Sequence, residues 1–113
     1  MSVIDRVKSH FESLGIQSIE ISEWKDEDGK PTVIYWNPIT LSEKNKLFKK
    51  SDNLNDASLL ADIIIMKGLD KNGNKIFTLE DKPALMHKAD SDILSRIATL
   101  MVQVITPEEV KKN

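Results

Sequence analysis

Cysteine is absent from this chain of 113 residues, and aromatic residues, glycine and proline are sparse. The lack of thiols excludes disulfide bonds, thiol nucleophiles and every zinc site that depends on sulfur ligands. It is typical of a protein that works in a reducing cytosol. With 40% hydrophobic residues, a chain of this length can bury roughly two-thirds of its unfolded surface in one core. We therefore expect a fold that needs no covalent or metal staple.

The chain also lacks a strong charge of one sign and a long apolar run. Its formal net charge is −2, with acids and bases intermixed, so no summed field attracts nucleic acid or anionic lipid. The first residues, MSVIDRVKSHFESLG, lack the apolar stretch of a signal peptide. The most apolar run, from Ile97 to Ile105, is interrupted by Thr99 and Gln103 and is too short for a membrane span. We expect a cytoplasmic protein that binds neither nucleic acid nor a membrane.

The residue types that build active sites are few and poorly spaced. His10 and His87 are the only histidines, and neither stands in a pair that would bind a metal. No Gly-x-Ser-x-Gly elbow presents a nucleophile, and no glycine-rich loop ends in Lys-Ser/Thr to hold a phosphate. Neighbouring carboxylates such as Asp90 and Asp92 fall where helix N-termini favour negative charge. The sequence therefore predicts a protein that is not an enzyme and uses no cofactor.

The segment that begins at Asp70 partly matches the calcium-binding loop of an EF-hand. Asp70, Asn72 and Asn74 occupy the first three ligand positions of that loop. Lys75 stands where the sharp turn requires glycine, and Asp81 stands where a bidentate glutamate closes the ligand shell. Asp-Lys-Asn-Gly is also ordinary turn chemistry. We predict a polar turn here, with a calcium-responsive loop as the alternative.

The N-terminal part of the chain predicts a helix followed by a β-hairpin. Apolar residues recur at helical spacing over residues 3 to 14, Ser2 can cap this helix, and Gly15 is typical of its end. Two runs rich in β-branched and aromatic residues follow, the second over residues 32 to 36, with turn-forming residues around 25 to 31. Because a lone hairpin is marginal in water, one of its faces must pack on helices.

The remainder of the chain predicts further helices, each with a capping residue at its start. We expect one opened by the Thr40 and Glu43 capping box, one from about Asp56 to Leu69, a short one capped by Thr78 and Asp81 through about Lys88, and a last one capped by Asp90 whose apolar stripe includes Met101 and Val104. The predicted fold class is mainly α with a small β-hairpin (α+β), with about four to five helices packed against one two-stranded antiparallel hairpin. We expect one globular domain over residues 1–105 and a flexible C-terminal tail over residues 106–113.

Five side chains are candidates for a partner-binding surface, namely Trp24, Tyr35, Trp36, Met66 and Met101. The three aromatic residues lie in the hairpin, and large amphipathic rings are favoured both in cores and at binding hot spots. The two methionines lie on apolar helices, where a flexible thioether can adapt to different partners. Packing inside the core is the alternative for each of these residues.

Four lysines give the helix after Thr40 a basic face, namely Lys44, Lys46, Lys49 and Lys50. No aromatic side chain is interleaved among them, so the stacking platform that single-stranded nucleic acid needs is not indicated. We interpret this face as a solvated one.

Three segments carry a resemblance to a known family. They are the turn from Trp36-Asn37-Pro38 into the helix at Leu41, the turn Leu69-Asp70-Lys71-Asn72-Gly73, and Phe77-Thr78 leading through Asp81-Lys82 to Ala89-Asp90. In this order, with the hairpin and the last helix, they resemble the tail assembly chaperones of long, non-contractile-tailed, lambda-like phages and their prophage remnants. The resemblance extends over about residues 20 to 103, and none of its motifs is a catalytic signature.

This resemblance implies a small non-enzymatic protein that is absent from the finished virion. Such a chaperone keeps the tape measure protein soluble during tail assembly in the bacterial host cytoplasm, and tail tube subunits are further candidate partners. A tape measure is a very long helical chain with apolar seams, so its chaperone needs an apolar, adaptable surface. The alternative is a minor structural tail protein or a tail-completion protein that is retained in the virion.

Overall fold

The computed structural model describes residues 2–51, 53 and 55–103. In chain order the elements are α1 (Val3–Leu14), β1 (Gln17–Lys25), β2 (Pro31–Trp36), α2 (Leu41–Leu47), α3 (Ala57–Lys67), α4 (Lys82–His87) and α5 (Ser91–Val102), with a 3₁₀ turn at Leu79–Asp81 before α4. Within the described residues, five helices and one two-stranded antiparallel hairpin confirm the predicted fold class. Val104 and the predicted tail over residues 106–113 lie outside the described residues.

The N-termini of the helices follow the capping signals in the sequence. At α1, Ser2 Oγ accepts a hydrogen bond from the Asp5 N–H at 3.4 Å, and Gly15 ends the helix with a φ of 67°. At α2, Thr40 Oγ1 accepts from the Glu43 N–H at 3.1 Å, and Glu43 Oε1 accepts from the Thr40 N–H at 3.0 Å. Both halves of a capping box are therefore formed. The helix predicted over residues 3 to 14 is confirmed at both ends.

The end of α3 differs from its prediction by two residues. The sequence predicts that this helix reaches about Leu69, but it ends at Lys67. Leu69 instead pairs with β2, since its N–H donates to the Tyr35 carbonyl at 2.8 Å and its carbonyl accepts from the Tyr35 N–H at 2.9 Å. This pairing satisfies the backbone N–H and carbonyl groups of both Leu69 and Tyr35. If α3 continued to Leu69, the helical backbone there could not form this pairing.

The core is built around α3, which packs against α2, α4 and α5. Its buried apolar residues are Leu59, Leu60, Ala61, Ile63, Ile64 and Ile65, and α5 adds Ile93, Leu94, Ile97, Ala98 and Met101. Neighbouring helices lie on several sides of α3, and its apolar residues therefore extend around most of its circumference. Full burial of a side chain such as Ile63 contributes roughly 1.5–3 kcal/mol to folding.

The hairpin packs one face on these helices, as predicted. Ile21, Ile34 and Trp36 are buried in the same core, and Ile19 lies directly opposite Ile34 in the strand register. Val33 points to the other face and remains 38% exposed. The alternation of strand side chains thus separates an inner face from an outer one.

Two turns in the fold share one hydrogen-bonding pattern. In residues 26–30, Asp26 Oδ1 accepts from the N–H groups two and four residues later at 2.9 and 3.0 Å. In residues 70–74, Asp70 Oδ1 accepts from the corresponding N–H groups at 2.8 and 3.0 Å. The fourth residue of each turn, Gly29 or Gly73, has a φ of 78° or 84°, a conformation that favours glycine. The first turn closes the hairpin, and the second closes a short loop between Leu69 and Lys75.

Candidate partner-binding grooves

The structure separates the five candidate binding residues into two groups. Trp36 and Met101 are buried in the core, with 3% and 0% of their surface exposed, so neither is available to a partner in this structure. Both side chains instead belong to the hydrophobic core. Trp24, Tyr35 and Met66 are half-buried. Of these, Trp24 and Met66 line open grooves, and Tyr35 pairs with Leu69 through its backbone.

The first groove lies between α2, α3 and the segment that follows the Asp70 turn. Its volume is about 480 Å³. Its lining is mostly apolar, contributed by Leu47, Ile65, Met66, Phe77 and Leu79. Leu79 stands at its edge with 73% of its surface exposed. A single exposed leucine would be ordinary on a protein surface. Because Leu79 adjoins a mostly apolar groove, the two together form a larger apolar patch, which marks this region as a candidate interaction site.

Charged side chains surround the first groove. Lys46, Asp62 and Lys75 contribute to its lining. The Lys75 ammonium donates to the Met66 carbonyl and lies 3.5 Å from the Ile65 carbonyl, at the C-terminal end of α3. A cation at this end satisfies free carbonyl groups and interacts favourably with the helix dipole. Asp62 forms a salt bridge of 2.9 Å with Lys82, which ties α3 to α4.

An ion pair with a buried lysine joins α3 to α2, the two helices beside the first groove. Lys67, near the end of α3, lies 2.9 Å from Glu43 Oε1 at the start of α2, and only 4% of the lysine side chain is exposed. Burial raises the pKa of Glu43, but the hydrogen bonds from Lys67 and Thr40 outweigh this effect and bring that pKa below its ordinary value. Glu43 is therefore ionised at neutral pH and compensates the buried lysine.

The second groove adjoins the first and contains Trp24. Its volume is about 330 Å³. Trp24, Phe77, Ala84, Leu85 and Ala89 provide its apolar lining, and Asp81, Lys88 and Asp90 add charged groups. Phe77 contributes to the lining of both grooves.

A third groove lies on the opposite end of α2, against α1. Its volume is about 400 Å³, and Val7, Phe11, Ile39 and Leu41 form its apolar lining. Leu41 is 77% exposed and Val7 is 57% exposed. The helical period in the sequence predicted a common face for the apolar residues of α1, but the exposure of that face depends on the position of α1 in the fold.

The carboxylates of the Asp70 segment already serve the backbone. The N–H groups of Asn74 and Asn72 donate to Asp70 and hold its pKa below the ordinary value, against the opposing effect of desolvation. Asp81 Oδ2 accepts from the Thr78 N–H at 2.8 Å, at the start of the next turn. Across residues 2–51, 53 and 55–103, no cluster of three or more His, Asp or Glu side chains is placed to hold a metal ion. The polar turn that we predicted is formed.

Sequence reasoning missed several residues of the first groove. Ile65, Phe77 and Leu79 were not among its candidates, although each lines the same groove as Met66. The sequence contains one local signal for Leu79. It is an apolar residue directly before the acidic pair Glu80 and Asp81 at the start of a helix, a position where a polar, solvent-exposed side chain is more usual. The remaining lining residues come from distant parts of the chain, and only the tertiary structure brings them together.

Three comparisons with known proteins give no match. A scan against models of protein families gives no match, and neither the curated proteins nor the solved structures give a significant one. In the part of the chain that the structure describes, no helix has the length and apolarity to cross a membrane.

Proposed function

We propose that this protein is a phage tail assembly chaperone that binds an apolar helical segment of the tape measure protein in the first groove. It acts without catalysis, in the bacterial host cytoplasm, and tail tube subunits are a second class of partner. The observation that carries this proposal is the open apolar groove formed by Leu47, Ile65, Met66, Phe77 and Leu79.

The chemistry of the first groove suits an amphipathic helix. Helix-in-groove recognition uses apolar anchors at intervals of three and four residues, which lie in a row along one side of the bound helix. Met66 lies in the groove and Leu79 lies at its edge, so an incoming apolar row would contact an adaptable side chain and a freely accessible one. An adaptable surface is what a chaperone requires, because a tape measure offers many similar seams rather than one fixed epitope.

The charges around the groove favour partners with acidic flanks. Lys46 and Lys75 line it together with one carboxylate, Asp62, which is paired with Lys82. Two further lysines, Lys49 and Lys50, line a neighbouring depression. Positive groups at the rim increase the association rate with an acidic partner and select its orientation. The bound segment is therefore expected to carry Asp or Glu beside its apolar row.

The test is co-expression with the tape measure protein encoded next to this chain. We expect the tape measure to become soluble and to co-purify. Leu79→Asp places a charge in the first groove, and Met66→Gln replaces an apolar side chain by a polar one of similar length. Both should reduce the amount of co-purified tape measure severalfold, since each introduces a group whose burial costs free energy.

Ile16→Asp is the matched control, because Ile16 is 66% exposed but does not line the first groove. It should leave co-purification unchanged. Melting curves of all three variants check that the fold is retained. An insoluble tape measure with the wild-type chain would contradict the proposal, as would equal co-purification by Leu79→Asp and Ile16→Asp.

A structural tail component retained in the virion is the second candidate function. The observation that favours it is that the first and second grooves are neighbours that share Phe77, because a component fixed between two subunits would use a surface larger than one groove. Mass spectrometry of purified virions distinguishes the two roles. The chaperone is expected to be absent from them, and a fixed number of copies per particle would favour the structural role.

A further inference from the structure

The second groove combines two aromatic rings with two carboxylates. Trp24 and Phe77 provide the rings, and Asp81 and Asp90 provide the carboxylates. Within the described residues neither carboxylate forms a salt bridge, although the side chain of Lys88 also lines the groove. The groove therefore presents apolar surface beside negative charge that the described part of the chain does not pair with a cation.

Trp24 lies in an irregular part of β1. The strand register shifts between residues 21 and 25, so the residues between them have no directly opposite partner on β2. The Thr32 hydroxyl donates to the Trp24 carbonyl at 2.6 Å, and Glu23 lies 3.4 Å from Arg96 of α5. Such bulges redirect side chains out of the regular alternation and are common beside functional sites. The indole of Trp24 is thus held on an element whose geometry departs from an ordinary strand.

Both carboxylates are anchored by the backbone through one oxygen. Asp81 Oδ2 accepts from the Thr78 N–H at 2.8 Å. Asp90 Oδ1 accepts from the N–H groups of Asp92 and Ile93 at 2.8 and 3.3 Å. The other oxygen of each side chain accepts no hydrogen bond from the residues that the structure describes. Two positioned acceptors are therefore left for donors of a ligand.

Rings and carboxylates in one groove suit a guanidinium group. This planar cation can stack on an aromatic face, where the negative charge of the π-system attracts it. Its N–H donors lie in its own plane and remain free to bind carboxylate oxygens at the edge of the stack. An ammonium group is a compact, strongly hydrated charge, so it loses more on leaving water. A neutral apolar side chain would gain nothing from the two carboxylates.

We infer that the second groove binds an arginine side chain of a protein partner. The guanidinium group packs against Trp24 and Phe77, and its donors bind the free oxygens of Asp81 and Asp90. This site is independent of the proposed function, because that function is assigned to the first groove and is tested with variants of residues that do not line the second. Loss of either activity can therefore be measured without loss of the other.

The first experiment is an NMR titration of the full ¹⁵N-labelled chain with Nα-acetyl-arginine amide. Trp24→Phe and Trp36→Phe assign the two indole N–H signals. We expect the Trp24 signal to shift saturably at roughly millimolar probe, the range of a single exposed cation–aromatic contact with its ion pairs. The signal of Trp36, which is buried in the core, should stay unchanged. The citrulline analogue is the neutral control of similar shape and should cause no saturable shift.

Two substitutions remove the charges and keep the backbone anchors. Asp81→Asn and Asp90→Asn retain the side-chain oxygen that accepts backbone N–H groups, so both variants should fold. Each should weaken binding of the arginine probe by about twofold to fivefold. Asp92→Asn is the matched control, because Asp92 lies at the same end of α5 but does not line the groove. It should leave binding unchanged, and melting curves confirm that all three variants are folded.

The lysine analogue of the probe tests the preference for a planar cation. It should bind severalfold more weakly than the arginine probe, and equal binding would overturn the assignment to arginine. Absence of a saturable shift of the Trp24 signal would overturn the site itself. An equal response to the citrulline analogue, or equal binding by Asp90→Asn and Asp92→Asn, would also overturn it, since neither is compatible with recognition of a cation by these carboxylates.

Discussion

Lys67 and Glu43 form an ion pair of 2.9 Å between the end of α3 and the start of α2, with the lysine almost completely buried. The same glutamate oxygen accepts hydrogen bonds from the N–H and the hydroxyl of Thr40 at 3.0 and 3.2 Å. One carboxylate thus caps α2 and compensates a buried cation on its neighbour. The contact joins the start of α2 to the end of α3, the two helices that contribute to the first groove.

Removing the charge of Glu43 is expected to destabilise the fold. Glu43→Gln leaves Lys67 buried without a counter-ion, and we expect the free energy of unfolding to fall by about 2 kcal/mol. This is less than the roughly 3–5 kcal/mol found for fully buried pairs, because 31% of the Glu43 side chain is exposed. Denaturant unfolding measures the change.

Two controls separate the buried charge from the loss of an ion pair. Lys67→Met removes the cation itself and should change stability by no more than about 1 kcal/mol, since the Glu43 carboxylate that remains is partly exposed and keeps its hydrogen bonds from Thr40. Glu23→Gln breaks the exposed pair with Arg96 and should have almost no effect. A stability loss in Lys67→Met as large as in Glu43→Gln would contradict this account.

Stability is expected to fall in acid. The pKa values of Glu43 and Asp70 are both lowered in the folded state, from ordinary values of 4.5 and 3.8. A carboxyl group with a lowered pKa stabilises the fold fully above its unfolded pKa, and the contribution is lost as the pH falls through the folded pKa. The unfolding free energy should therefore decrease below roughly pH 5, and Glu43→Gln should flatten this acid dependence. An unaltered pH profile in the variant would exclude Glu43 as a source.

The two matching turns predict matching responses to substitution. Gly29→Ala and Gly73→Ala should each reduce stability by about 1 kcal/mol, because a side chain at positive φ is strained while neither position has an atom nearby to clash with. Gly29→Asn and Gly73→Asn are the controls and should cost less, since asparagine tolerates this region better. Equal losses for alanine and asparagine would show that the cost does not arise from φ.

Calcium is not expected to stabilise the protein. The Asp70 carboxylate accepts two backbone N–H groups and Asp81 caps the following turn, so binding a cation would require both sets of hydrogen bonds to change. A ligand that binds only the folded state raises the melting temperature. Since we expect no calcium binding, the melting temperature should be the same with and without roughly millimolar calcium. A rise that is lost in Asp70→Ala would instead support the calcium-responsive loop.

The two tryptophans should differ in their fluorescence. Trp36 is 3% exposed, whereas Trp24 lines the second groove. Trp24→Phe leaves Trp36 as the only emitter, and its fluorescence should be blue-shifted and severalfold less sensitive to acrylamide than that of Trp36→Phe. Melting curves confirm that both variants are folded. Equal quenching of the two variants would contradict the placement of the hairpin on the core.

Much of the local structure follows from neighbouring residues. Ser2, Thr40 and Asp90 lie within four residues of the N–H groups that they cap, and Asp26 and Asp70 organise turns of five residues. Such contacts close short loops at little cost in entropy, so their sequence patterns are dependable. The end of α3 was placed two residues late because its competitor, the pairing of Leu69 with Tyr35, joins distant parts of the chain.

The candidate site was less accessible to sequence reasoning. Trp24 and Met66 were identified and do line grooves, but Trp36 and Met101 fill the core. An apolar side chain has the same sequence signal whether it is covered by its own fold or exposed for a partner. Burial depends on the elements that pack on it, and these come from remote positions.

The sequence by itself determined the number and type of the elements, their caps and the two aspartate turns, because these depend on interactions between near neighbours. Only the tertiary structure decided that Lys67 is buried against Glu43, that Phe77 lines both the first and the second groove, and that Val3 and Val7 of α1 stay exposed. Each of these outcomes depends on packing between segments far apart in the chain. Packing is set by how the shapes and volumes of whole elements fit together, which no local pattern contains.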